Sequence, residues 1–336
     1  MSMSDKSERR LVHYNQSVGL STLFRPLPKA AVRPSLDVTY QPSSGGTVLR
    51  FSAKEALGIP EQTLLLVLME LAKEQFDFFS DEVVVNSGTK CEIGRELWSR
   101  LQKNCGNANA KSLRLETCWH ELNRRCGSQS GGAIQVMRML QLKRLCEVIV
   151  WEHDGDEKRT KRQSYLVVWL VGDDERIHLA LNCRLASALL GQPYAQVSMT
   201  ERLELKRDIP MALHAFFSTT LSHGHSIRIG LERLIERLWP GSGVAACAST
   251  HRSHRSDIRD GLDAIGRLDG WSVTWERNDL ASVRRFRAGV ADMTSHKFNK
   301  TRTYRSQALP LITNEIAGLP TFDVSGLFLT TSRAPE

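Results

Sequence analysis

Apolar residues along this chain recur with two periods, and the switches between those periods mark out its elements. Leu36–Tyr40 (LDVTY) and residues 47–51 (TVLRF) flank the turn PSSGG and predict two strands. Residues 61–73 are strongly apolar and follow Pro60, a favoured early helix position, so they predict a helix. Helices are also predicted at 94–103 and at 111–126, the second ending at Gly127. Residues 131–146 (GGAIQVMRMLQLKRLC) predict a helix that is apolar nearly all round, with Gln135, Arg138, Gln141 and Lys143 as its polar positions. Residues 147–151 and 164–171 predict strands, Ile177–Leu181 another, and residues 182–190 a short helix.

The second half follows a recognisable order. Residues 208–221 (DIPMALHAFFSTTL) form an amphipathic helix closed by SHGHS, and a short IRI segment leads to GLERLIERLWP, a helix stopped by Pro240 and Gly241. A further helix then starts with Ser249 or Thr250 as N-cap candidates and carries Ile258, Leu262, Ile265 and Leu268 on one stripe. Arg252, Arg255 and Arg259 share another face, about a hundred degrees away at 3.6 residues per turn. Trp271, Val273 and Trp275 alternate with polar residues as a half-buried strand does, and Arg284, Arg285 and Arg287 lie on the returning segment. Helix, short strand, helix, turn, basic helix and hairpin make the order of a winged helix-turn-helix. In a major groove arginine reaches O6 and N7 of guanine, and serine or threonine serves any base. The expected DNA-reading positions are therefore Thr250, His251, Arg252, Ser253, Arg255, Ser256 and Arg259, with Arg284, Arg285 and Arg287 on the wing. Interleaved Asp257, Asp260 and Asp263 leave open a plain surface helix with solvated Arg–Asp pairs.

The first half repeats that order. Its basic helix is residues 131–146, with Gln135, Arg138 and Gln141 as candidate contacts. Its hairpin tip, HDGDEKRTKRQ, carries Lys158, Arg159, Lys161 and Arg162, with an ordinary solvated loop as the competing reading. The expected fold class is α+β: two tandem winged-helix domains with a flexible N-terminal arm and a C-terminal tail. The boundaries expected are 1–34 for the arm, which holds Pro26, Pro28 and Pro34, then 35–185 and 186–288 for the two domains. The connection between the domains is expected across 172–200. Residues 289–336, with Lys297, Lys300, Arg302 and Arg305, are read as a basic, partly ordered tail.

Composition narrows the partners. A chain of 336 residues is long enough for two cores, and a formal charge of +8 favours a polyanion. Seven cysteines without a CxxC pair read as reduced thiols of a cytoplasmic protein. No apolar run approaches a membrane span, and MSMSDKSERR lacks the apolar core of a signal peptide. The chain holds no phosphate-binding GxxxxGK[ST] loop, which disfavours an ATPase. His223 and His225 flank Gly224 in a turn and make a poor nuclease metal site, while Asp154, Asp156, Asp173 and Asp174 read as loop acids. His251 and His254 sit three apart on a helix without further ligands in view, so phosphate or base contact is the better reading. No catalytic residue, metal or cofactor is assigned. A winged-helix transcriptional repressor, or a nicking or priming enzyme of plasmid replication, are the alternative readings.

A resemblance adds to this. LDVTY before a glycine turn, RFSAKEALG, SGGAI, IHLALN, MALHAFF, LERLIERLWP and RSHRSDIRDGLDAIGRLDGWSVTWE occur in one order between Leu36 and about Glu276. Over that span the chain resembles the RepC replication initiators of IncQ-type broad-host-range plasmids; the N-terminal arm and the tail after about Phe286 lie outside the resemblance. It implies an origin-binding protein with two winged helices that recognises directly repeated sites (iterons) and helps open an adjacent A+T-rich segment. Plasmid-encoded helicase and primase are its implied partners. Initiators of this type often pair through the N-terminal winged helix, so a homodimer is counted among the expected assemblies.

Overall fold

The computed structural model describes residues 10–28, 32–42, 46–105, 109–129, 131–154, 160–172, 176–241 and 247–286. The chain starts with β1 (Leu11–Tyr14) and α1 (Gln16–Leu20), and β2 (Leu36–Tyr40) and β3 (Thr47–Ala53) lead into α2 (Ile59–Phe79). Next come β4 (Val84–Val85), α3 (Glu92–Leu101), β5 (Gln102–Cys105), β6 (Ser112–Thr117), α4 (Trp119–Arg125) and α5 (Gly132–Glu147). The strands β7 (Ile149–Asp154), β8 (Thr160–Tyr165), β9 (Val167–Val171) and β10 (Ile177–Leu181) close the first half. The second half holds α6 (Cys183–Leu189), β11 (Ala195–Ser198), α7 (Met199–Glu204) and α8 (Asp208–Thr220). It ends with β12 (Ser226–Gly230), α9 (Leu231–Leu238), α10 (Ala248–Gly266), β13 (Trp271–Trp275) and β14 (Leu280–Arg285). Helices and antiparallel sheets together make an α+β fold.

The central element is α2. Its run of leucines is apolar all round, as in a helix surrounded by protein, and every side chain from Glu61 to Ala72 is buried. Gly58 starts it, donating its N–H to Glu61 Oε2 at 2.9 Å. α2 packs against β1, β6, α4, α5, α6 and α8, so it touches both halves. One continuous apolar core results, from Val12 through the α2 leucines to Val283.

Residues 10–28, inside the segment expected to be a flexible arm, are folded into the core instead. β1 pairs antiparallel with β11, from Leu11 opposite Ser198 to Tyr14 opposite Ala195. Val12, Tyr14, Val18 and Leu23 are buried. Arg10 forks onto Glu70 of α2 at 2.7 and 2.5 Å. α1 lies so close to α8 that a Cβ on Gly19 would stand 2.5 Å from Thr219 Oγ1. Arg237 of α9 donates to the carbonyls of Gly19, Leu20 and Ser21 at 3.1, 3.0 and 3.4 Å, placing a cation at the negative end of α1.

Two expected elements divide. The helix expected at 111–126 is β6 followed by α4, because Leu113 and Leu115 alternate inward with period two. The strand expected at 164–171 breaks at Leu166: β8 stays in the sheet β2-β3-β7-β8-β5, and β9 joins β4-β6-β10-β9. Leu166 is buried at the crossing, its N–H donating to Val148 O and its carbonyl accepting from Asn182 N, both at 2.9 Å. Within the expected connection, β10 is buried along its whole length and α6 packs on α2, β6 and β1.

A buried polar cluster fastens α7 to α8 and β13. Arg202 is fully buried and donates to Thr63 Oγ1 at 3.1 Å, Gln62 Oε1 at 2.9 Å and Met211 O at 2.9 Å. Burial pulls its pKa down to about 10. Next to it His214 Nε2 lies 3.0 Å from Glu201 Oε2, which also accepts from Trp271 Nε1 at 2.8 Å. Burial holds the His214 imidazole below its ordinary 6.5, outweighing the opposing pull of Glu201. The unfolded chain then takes up a proton more readily than the folded one, so this contribution is complete above about pH 6.5 and is lost as pH falls below it. The urea midpoint is expected to drop from about pH 7.5 to about pH 5.5, and less so in His214→Gln. His13 and His254 are shifted in the same direction, so the difference between the two proteins isolates His214.

Candidate nucleic-acid interface

In the second half β12, β14 and β13 form an antiparallel sheet in that order, with Ile229 opposite Ala281 and Val273 opposite Val283. α10 lies against α8, α9 and β13. Ile258, Leu262 and Ile265 are buried along it and Leu268 just past its end, as the stripe predicted. Trp239 stacks on His254 with ring centroids 3.9 Å apart and planes 3° from parallel, which ties the end of α9 to α10. The helix is capped two residues before the first expected cap, Ser249. Cys247 is the N-cap, its Sγ 3.1 Å from both Ser249 Oγ and Thr250 Oγ1, and those contacts pull its thiol down to about 6.

This packing leaves the N-terminal half of α10 open. Ser249, Thr250, Arg252, Ser253, Ser256 and Arg259 are exposed, while His251 and Arg255 are half-buried. No carboxylate precedes Asp257 on the helix, and Asp260 and Asp263 face solvent further on. The outer face is thus cationic and hydroxylic at the start and acidic at the end. That gradient suits a helix whose N-terminal residues meet base edges.

Neighbouring elements hold two of these cations. Arg255 bridges Glu232 on α9 and Asp279 in the β13–β14 turn; Arg259 also pairs with Asp279, and His251 Nε2 lies 2.8 Å from Glu232 Oε2. Asn278 and Asp279 adopt φ of 62° and 56°, the left-handed conformation a tight turn needs, and this presents the Asp279 carboxylate to the helix. The hydrogen bond from Arg259 holds that carboxyl below its usual range. Arg233 on α9 and Arg277 in the turn are exposed close by, and Arg228 on β12 lies 3.1 Å from Glu276. The sequence pattern does not single out these three, since they come from three elements and only folding gathers them.

A family model for replication protein C (RepC) matches residues 8–285. The chain belongs to the RepC family. Its members are replication initiators, and the match takes in the N-terminal segment that the resemblance had left outside. Among solved structures, this RepC-family chain is similar to domains 2 and 3 of RctB, at 11% identity and a TM-score of 0.47 over 80% of this chain and 95% of that one. A selenomethionine form of the same domains gives 10% and 0.44, over 77% and 93%. No curated protein matches.

Three expected contact residues of the RepC-family chain are structural instead. Arg285 is 3% exposed and donates to Ser218 O and Leu221 O at 3.2 Å each and to Gln196 O at 2.8 Å. Arg138 is 5% exposed, its guanidinium held by Gln141 Oε1 at 2.7 Å, Ser128 Oγ at 3.1 Å and Asn123 Oδ1 at 3.3 Å, and Gln141 is buried with it. Arg284, next to Arg285 on the strand, points outward over the Phe286 ring at the end of β14 away from Asp279. Gln135 is exposed. Arg162 is half-buried within β8, opposite Glu152 and Cys105. Lys158, Arg159, Arg287 and the expected tail lie outside the described residues, as does the side chain of Lys161. Among the described residues no helix is long and apolar enough to cross a membrane, and no three His, Cys, Asp or Glu side chains gather as a metal site.

Proposed function

We propose that this RepC-family chain is a cytoplasmic plasmid replication initiator that binds repeated duplex sites in its origin. It promotes opening of the adjacent A+T-rich region so that plasmid-encoded helicase and primase load. In this reading α8 to β14 is a winged helix-turn-helix, α10 is its recognition helix and the β13–β14 turn is its wing. The observation that carries it is the open start of α10, with no carboxylate of its own before Asp257, which sets Arg252, Arg255 and hydroxyl groups over an antiparallel three-stranded sheet. The first half, with α5 after the short α4 and ahead of the β7–β8 hairpin, is read as the second winged helix. Base contacts specify the site and phosphate contacts from Arg233 and Arg277 set its register. In this reading the chain makes and breaks no covalent bond.

Because the two halves share one core, their reading heads stand at a fixed separation. Two winged helices on one face should then cover about two turns, roughly 20 base pairs, of each repeat. Footprinting of the purified chain on its own plasmid origin tests the reading. Protection of successive direct repeats at one phase is expected. Uniform weak binding across origin and random DNA would overturn it, and protection confined to a promoter outside the origin would favour the repressor.

A further inference from the structure

α5 takes, in the first half, the place that α10 takes in the second: each follows a short helix and precedes an antiparallel hairpin. Its outward chemistry is different. With Arg138 and Gln141 turned inward, the open face carries Gln135, Val136, Met137 and Leu140, the three apolar side chains being 52, 55 and 43% exposed. Met137 and Leu140 stand three apart, and Val136 and Leu140 four apart, so they form one stripe along the helix. Large apolar side chains left this open call for an occupant.

The charge around the stripe indicates which one. α5 has no carboxylate before Glu147, its last residue, and Lys143 is its exposed cation, while Arg138 turns inward and Arg144 pairs with Glu55 and Glu61. Its N-terminus starts with Gly131 and Gly132, where an added Cβ would meet nothing within 4 Å, so bare backbone N–H groups and the positive end of the helix are presented together. A polyanion can approach that end of the helix without meeting side-chain bulk. A protein partner is usually anchored by Trp, Tyr or Arg, and this stripe holds none. In a major groove the apolar feature is the C5-methyl of thymine, and adenine offers N6 and N7 to a bidentate Gln.

We propose that α5 reads A·T pairs, with Val136 and Met137 against thymine methyl groups and Gln135 on adenine, while the arginines of α10 read G·C pairs. The inference rests on the DNA-binding reading above and specifies what its first half recognises.

The test uses the full chain on its own origin repeat, with thymines replaced one at a time by deoxyuridine, which removes only the methyl. At one or two positions binding should weaken about four-fold, the worth of one buried methyl-sized group. The double variant Val136→Ala, Met137→Ala alters only exposed side chains and should keep the wild-type urea midpoint. It should bind the normal repeat more weakly and lose the deoxyuridine effect at those same positions. Equal binding to all deoxyuridine duplexes, or an unchanged deoxyuridine profile in the double variant, would overturn the proposal while leaving DNA binding intact. A double variant that sediments as a monomer where the parent is a dimer, with its profile unchanged, would make the stripe a surface for a second copy and also overturn it. If the parent chain ignores the repeat altogether, the DNA-binding reading fails and this inference fails with it.

Discussion

A chain that begins at residue 29 is expected to lose its cooperative unfolding transition. The missing segment supplies Val12, Tyr14, Val18, Leu23 and Phe24 to the core, all of them buried. At about 1.5–3 kcal/mol for each large apolar side chain, their burial is worth on the order of 10 kcal/mol, as much as the whole stability of an ordinary domain. The truncation also strips β11 of its partner strand, Glu70 of Arg10, and Arg237 of the carbonyls at the end of α1. Urea unfolding followed by tryptophan fluorescence should show a broad, non-sigmoidal change in place of one step. A truncated chain with the full-length midpoint would mean that β1 and α1 rest on a core complete without them. Fragments cut near residue 185 should fare no better, because α2 belongs to the core of both halves.

That first segment also shows where sequence stops being readable. β1 and α1 have 4 and 5 residues, too few for either period to emerge, and the partner of Leu11 is Ser198. No local pattern announces such a pairing, and the prolines nearby argue for the opposite. Long or cleanly alternating elements were legible. β2, β10 and β13 fall where their alternation and flanking turns place them, and the buried stripe of α10 follows its helical spacing.

At the candidate interface two of the three misread residues, Arg138 and Arg285, are arginines counted as surface because they are charged, and Gln141 is buried with the first. For Arg284 and Arg285 a signal was present, since neighbours on a strand face opposite ways and one of the two had to point inward. On α5, apolar nearly all round, an arginine with no acidic neighbour was bound either to face solvent or to find neutral acceptors inside, and Arg138 does the second. Nothing in the sequence joined Glu232, Arg255 and Asp279. They come from three elements, and only the positive φ at Asn278 and Asp279 turns the carboxylate back toward the helix.

That last grouping gives a pair of substitutions with opposite outcomes. Arg255→Ala should cost about 1–3 kcal/mol on an origin repeat and relax the preference at one base pair, if the guanidinium reaches a guanine edge. Asp279→Asn keeps the shape of the turn and removes the negative charge shared by Arg255 and Arg259. Arg259 is then released toward phosphate and Arg255 keeps only Glu232, so affinity for random duplex should rise. The salt dependence should steepen by about 0.9 in log–log slope for each phosphate newly neutralised. Affinity for the repeat should rise less, because Arg255 loses a carboxylate that holds its plane in position for bidentate contact. The ratio of specific to random binding should therefore fall in both variants, through weaker specific binding in Arg255→Ala and stronger random binding in Asp279→Asn. Titrations of repeat and random duplex at two salt concentrations separate the cases. Equal weakening of Arg255→Ala on both duplexes would make Arg255 a phosphate contact. An Asp279→Asn protein with an unchanged ratio and salt slope would reduce the Asp279 pairs to surface ion pairs with no part in recognition.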